Sequence, residues 1–199
     1  MKIGIVSLSP KPNAMSDSYA LLQQFLDKLP GEHELNHFKI SDMGLPIWSG
    51  EVLMEMFNPE AEEHPNKDAF HKLIDDITSN DLVLISSPIH NYGVSIFGKI
   101  FVDAMVIAGK SFAYTSEGPS GLIKTGTKFI IFGSSGGDFT GPLAAYDMNV
   151  PYLKGTLSFI GLEFLDSFYL PNTASTRLGE ASRTAAMEKV ADYALNFSL

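Results

Sequence analysis

Three short polar segments carry the residue types best able to do chemistry in this 199-residue chain. The first runs from Ser9 to Ser18 (SPKPNAMSDS) and leads into a helical pattern. A helix N-terminus offers unpaired N–H groups and a partial positive charge, and serine hydroxyls add donors. Ser9, Ser16, Asp17 and Ser18 are therefore candidates to hold an anion without an arginine, although Ser16 equally suits a plain N-cap. The second segment places Ile89, His90, Asn91 and Tyr92 directly after an apolar run. Two side-chain rings and an amide there suit a flat, polar heteroaromatic ligand, while Asn91 by itself also suits a turn. The third is Ser134, Ser135, Gly136 and Gly137, whose glycines let main-chain amides approach a ligand closely. With Gly133 it also fits G-x-S-x-G, the nucleophile elbow of hydrolases. That chemistry needs a histidine after the serine, whereas His33, His37, His64, His71 and His90 all precede Ser135. No metal site is expected: His33 and His37 fall in or beside a strand, and His64 and His71 lack an HExxH frame. Neither GxGxxG nor GxxxxGK[ST] is present.

The elements that must position these segments alternate. Residues 2–8 form a short β-branched run, followed after Ser16 by a helix with Ala20, Leu21, Phe25, Leu26 and Leu29 at three- and four-residue spacing. A weaker strand at 34–40, a helix at 67–79 and a buried strand from Asp81 follow. Further on come an apolar helix at 96–108, a hairpin around FAYTSEGPSGL, a strand at 127–133, a helix at 145–159, a strand at 162–169 and a closing helix at 176–197. The stretch from Ser41 to Asn66 holds Trp48 and Phe57 and is too apolar for a linker, so it reads as an ordered excursion with a short helix near 51–57. Five strands each followed by helical material imply right-handed crossovers and an α/β doubly wound parallel sheet within one domain, residues 1–199. Ligands in such sheets sit beyond the carboxyl ends of the strands, where the three segments fall.

Composition narrows the function. Lysine and arginine total 14 against 23 acidic residues, a formal charge of −9, which argues against nucleic acid or an anionic membrane as partner. The absence of cysteine excludes thiol redox chemistry, thiolate metal sites and cysteine nucleophiles. The apolar run from Ile3 to Leu8 is too short for a signal peptide or a membrane span, so a cytoplasmic location is expected. Only Arg177 and Arg183 represent arginine, both in the expected final helix and away from every candidate loop.

Taken in order, the Ser-rich first loop, the PxxN-aromatic third loop and the SxGG fourth loop resemble the flavodoxin-like fold, with sheet order 2-1-3-4-5. More narrowly the chain resembles the FMN-dependent NADH-azoreductases, also described as FMN-dependent NADH:quinone oxidoreductases. The resemblance extends to Pro46-Ile47, Gly50-Glu51, Lys99 with Asp103, Phe112 to Thr115, Gly118-Pro119, Gly121-Leu122 and Phe159 to Gly161. It implies that Ser9 and Ser16 to Ser18 hold the FMN phosphate. It implies too that Ile89 to Tyr92 line the isoalloxazine and that Ser134 to Gly137 flank the ring's other end. His90 stands where the family usually has Tyr, Ser135 where it usually has Arg, and the first loop is one residue longer. The implied activity is two-electron, ping-pong reduction of quinones and azo compounds by a homodimer with shared sites. The implied donor is NADH or NADPH, with NADH favoured because no Arg or Lys cluster awaits a 2′-phosphate. His90 is the candidate proton donor, and Trp48, Phe57, Phe112 and Tyr114 the candidate substrate walls. The rival is a flavodoxin-type electron carrier that binds FMN without turning over substrates.

Overall fold

In the computed structural model, which describes residues 1–57 and 64–199, five parallel strands form the sheet: β1 (Lys2–Ser7), β2 (Glu34–Lys39), β3 (Leu82–Pro88), β6 (Lys128–Ser134) and β7 (Glu163–Leu170). Their order is β2-β1-β3-β6-β7. Counting only these five, this is the order 2-1-3-4-5; the intervening β4 (Phe112–Thr115) and β5 (Gly118–Gly121) pair separately as an antiparallel hairpin.

Alternation along the central strands explains the two layers. Ile3, Ile5, Leu82, Leu84, Ile130 and Phe132 face one side, packed with Leu21, Leu22 and Phe25 of α1 (Asp17–Lys28) and Val190 and Ala194 of α6 (Gly179–Leu195). Val6, Val83, Ile85, Phe129 and Ile131 face the other side. They meet α3 (Pro65–Thr78), α4 (Ile96–Met105) and α5 (Val150–Ile160) through Phe70, Leu73, Phe101, Leu153 and Leu157. Phe25 is fully buried and has Phe132, Tyr193 and Phe197 as ring neighbours; truncating such a residue to Ala costs about 3–5 kcal/mol. Among the described residues no helix is long and apolar enough to cross a membrane.

Several boundaries move for identifiable reasons. The helix expected from 145 starts only at Val150, because Pro151 lacks an N–H and is tolerated only in a first turn. A separate 3-10 turn covers Gly141–Tyr146, and the Asp147 carboxylate accepts from the N–H groups of Asn149 (2.8 Å) and Val150 (3.3 Å) where α5 begins. The excursion after β2 does contain a short helix, α2 (Gly50–Met56), capped by Ser49 Oγ on Val52 N–H; Pro59 and the rest of 58–63 lie outside the described residues. The last helix begins at Gly179, so Arg177 lies in the turn before it rather than in the helix. Gly161, at φ 113°, ends α5, and a side chain there would strike the carbonyl of Ile123, whose N–H bonds Ile160 O at 3.1 Å. That contact fixes the end of the β4–β5 hairpin against α5.

Candidate active site

Strand order reverses direction between β1 and β3, and a crevice opens at their carboxyl ends. A cavity of about 160 Å³ there is lined by Ser9, Lys11, Ser16, Asp17, Pro88, Ile89, His90, Ser134, Ser135, Gly136 and Thr173. All three polar loops of the sequence thus meet at one place. A second hollow of about 450 Å³ adjoins through His90 and is lined also by Asn91, Gly93, Val94, Lys99, Met148 and Tyr152.

The first loop brings hydroxyl and backbone N–H donors to the cavity. Ser16 caps α1, its Oγ accepting from Tyr19 N–H at 3.4 Å, and lies 3.2 Å from the Oγ of fully buried Ser18. The N–H groups of the helix's first turn have no carbonyl one turn earlier to bond. Ser9 is almost fully buried, and its Oγ accepts from Lys11 N–H at 3.2 Å, which folds the loop back so that Lys11 joins the lining.

The second loop is a tight turn. His90 and Gly93 exchange backbone hydrogen bonds (2.9 and 3.1 Å), and the central Asn91 and Tyr92 have φ of 49° and 73°. Both central residues at positive φ make a strained two-residue turn, a conformation that clusters at functional sites. The exposed Tyr92 ring lies edge-on to Phe139 (5.6 Å between centroids) and tilted against Tyr146 (5.5 Å). Below the turn, Ser95 caps α4 and donates to Leu8 O, fastening the second loop to the first.

The third loop is organised from beneath. Ser135 is buried, and its Oγ donates to Gly137 O at 2.6 Å. A short hydrogen bond joins Ser135 Oγ to the Tyr169 hydroxyl, which also accepts from Phe139 N–H at 3.1 Å. Burial raises the Tyr169 phenol above its ordinary value against the opposing hydrogen bonds from Ser135 and Phe139, so it stays protonated at neutral pH. The segment after β7 pairs with this loop: Asn172 N–H bonds Gly137 O (2.9 Å), Thr173 N–H bonds Ser135 O (3.0 Å) and Ala174 N–H bonds Gly136 O (3.3 Å).

Ser18, Asn91, Tyr92 and Gly137 adjoin lining residues without lining the cavity, Asn91 bordering the second hollow instead, and the four candidate substrate walls stand apart from it. Trp48 does not line it: its ring lies flat on Phe70 (5.8 Å, 9°) and its Nε1 donates to Asp103 O at 3.2 Å, anchoring the excursion to α3 and α4. Phe57 is exposed at the end of α2. Phe112 and Tyr114 touch each other at 5.4 Å on the hairpin, with Phe112 against Phe159 and Tyr114 78% exposed. Conversely, Lys11 and Thr173 line the cavity without having been singled out by sequence. The arginines also require correction. Arg183 is not remote from the candidate loops: its Nη2 forms an ion pair with Asp17 Oδ1 at the cavity wall. Lys99 pairs with Asp103; partial burial opposes its charge, but the Asp103 hydrogen bond, together with the attraction of Tyr152 and Asp103, raises the amine above its ordinary value.

Residues 1–194 match the family described as having the flavodoxin-like fold. An FMN-dependent NADH:quinone oxidoreductase of Psychromonas ingrahamii is 33% identical over 178 residues, covering 84% of this chain and 85% of its own length. An azoreductase of Bacillus anthracis superposes with a TM-score of 0.86 at 23% identity, covering 99% of this chain and 100% of its own. A second structure from that species, an FMN-dependent NADH-azoreductase in complex with FMN, superposes with a TM-score of 0.80 at 21% identity over 97% and 99% of the two chains. At those identities the two superpositions speak for the fold.

Proposed function

The chain belongs to the flavodoxin-like family, within the FMN-dependent NADH:quinone oxidoreductases, and from that premise we propose how its own residues serve the reaction. It is an FMN-dependent oxidoreductase that uses NADH to reduce quinones and azo compounds. The FMN, when bound, supplies the redox chemistry, taking a hydride from NADH and passing two electrons to the acceptor.

The cavity's donor set fits a flavin nucleotide held by its phosphate. Hydroxyls of Ser9 and Ser16, the N–H groups opening α1 and the nearby Lys11 are all suited to an anion, and no cysteine or histidine pair competes for another role. At about 160 Å³ the cavity is too small for a whole flavin nucleotide. Ile89, His90 and Gly136 of the lining, with the adjoining Asn91, Tyr92 and Gly137, would form a mouth that flanks the ring, with Gly137 open because no atom stands within 4 Å of where a Cβ would lie. Ser134 and Ser135 support that mouth, and Ser18 supports Ser16 from within the helix. Asn91 and His90 also border the 450 Å³ hollow, which is open enough to receive nicotinamide and acceptor in turn. His90, exposed at the junction of the two hollows, is placed to give a proton to the acceptor.

The active form is proposed to be a homodimer. Ile96 of α4 is 64% exposed, and Tyr114, Leu122 and Phe159 form an apolar surface around the hairpin. Phe57, Phe112 and Tyr114, which do not reach the cavity of their own chain, would border the partner's site in such a pair. Dependence on NADH is in keeping with action in the cytoplasm.

The observation that carries this proposal is the convergence of the loops after β1, β3 and β6 on one donor-rich cavity at the switch in strand order. Steady-state NADH oxidation with a quinone acceptor tests it. Turnover that requires added FMN is expected; FMN binding without turnover would instead identify an electron carrier.

A further inference from the structure

Asp17 is an unexpected wall for an anion site. As the first residue of α1 it is favoured by the helix dipole, but its carboxylate also borders the cavity beside Ser9, Lys11 and Ser16. A phosphomonoester there would bring about two negative charges close to a third. The chain meets this from far along its length. The segment 172–174 pairs with 135–137, and Asn172 Nδ2 donates to Ser182 Oγ at 3.3 Å. Those bonds bring the first turns of α6 beside the start of α1, where Arg183 pairs with Asp17, 166 residues earlier.

A merely structural purpose for the pair is poorly supported. The side chains of Arg183 and Asp17 are 44% and 26% exposed, and an ion pair so placed contributes little to stability. The packing of α1 on α6 is already supplied by Phe25, Val190, Tyr193, Ala194 and Phe197.

Resting on the proposal that FMN occupies this cavity, we infer that Arg183 is a positioning residue for its phosphate end. By pairing with Asp17 it neutralises the carboxylate on the cavity wall, and so sets the site's preference for a phosphorylated flavin over the same flavin without phosphate. Arg183 need not touch the ligand for this, because charge repulsion acts through the space between Asp17 and the phosphate.

Flavin-fluorescence titration of the flavin-free protein with FMN and with riboflavin tests this, using wild type, Arg183→Gln, Asp17→Asn and the double variant. Arg183→Gln is expected to weaken FMN binding about tenfold, with less loss at high salt, while leaving riboflavin binding within about twofold. Asp17→Asn keeps the backbone N–H and removes the charge, so it should bind FMN at least as tightly as wild type. The double variant should recover most of the affinity lost by Arg183→Gln. Equal loss of both ligands, an unchanged FMN affinity in Arg183→Gln, or no recovery in the double variant would each overturn the inference. Should Arg183→Gln fail to fold, weaker FMN binding by Asp17→Asn alone overturns it, and unchanged or tighter binding upholds it. If wild type takes up no FMN, the functional proposal falls and this inference with it; normal uptake with insensitive variants removes the inference alone.

Discussion

Replacing Tyr169 by Phe removes one oxygen and leaves the ring, so it isolates the hydroxyl that holds the Gly136–Gly137 loop. That hydroxyl accepts from Phe139 N–H at 3.1 Å and bonds Ser135 Oγ, with Gly137 O a further 3.3 Å acceptor. Ser135 keeps its 2.6 Å bond to Gly137 O and is not orphaned, whereas Phe139 N–H, only half-buried, loses this partner. One lost charge-neutral bond and one partly hydrated donor amount to about 1–2 kcal/mol. For a chain of this length that lowers Tm by about 2–8 °C. Because the loop forms one side of the cavity, FMN affinity should fall by about three- to tenfold, most of it through faster dissociation of a less ordered site. Thermal unfolding of the flavin-free protein and fluorescence titration with FMN measure the two effects. A Tm within about 1 °C of wild type together with unchanged FMN affinity would refute the view that Tyr169 organises this loop.

Two further outcomes follow from named groups. Burial, followed by the nearby Lys110 and Lys67, holds the half-buried His71 imidazole below its ordinary value, and its Nε2 has no hydrogen-bond partner among the described residues. The unfolded chain therefore takes up this proton first, near pH ~6.5, so stability present above that pH is lost as pH falls through the lower folded value. Urea unfolding between about pH 7 and pH 5 should show a shallower loss in His71→Gln than in wild type; equal slopes would contradict the assignment. His90→Phe should slow quinone reduction by tenfold or more, at the lower margin of what a positioned acid supplies, while slowing the NADH half-reaction far less. Stopped-flow measurement of the two half-reactions separates them, and equal effects on both would remove His90 as proton donor.

What the sequence made legible was local. Runs such as Leu82 to Ile85, buried on both faces, and the capped, evenly spaced apolar residues of α1 identify a parallel sheet and its helices without any tertiary information. Once those are placed, the chain itself delivers the loops after β1, β3 and β6 to one edge of the sheet. Side chains that act across the fold were not legible. Tyr169 looks like any half-buried strand residue until β7 pairs with β6 and sets it under Ser135. Arg183 looks remote because its approach to Asp17 depends on the 172–174 segment lying along the Gly-rich loop. Trp48 illustrates the opposite error: an aromatic in a long excursion suggests a pocket wall, yet its flat contact with Phe70 and its bond to Asp103 O make it an anchor.

In the proposed cycle this chain passes electrons between two small molecules at one flavin site. Anaerobic titration of the FMN-loaded protein tests it most directly. One equivalent of NADH should abolish the visible flavin absorbance, and one equivalent of a quinone should restore it, with no other protein present. Absorbance that NADH leaves untouched, but that a chemical reductant removes, would contradict the account and mark the protein as an electron carrier.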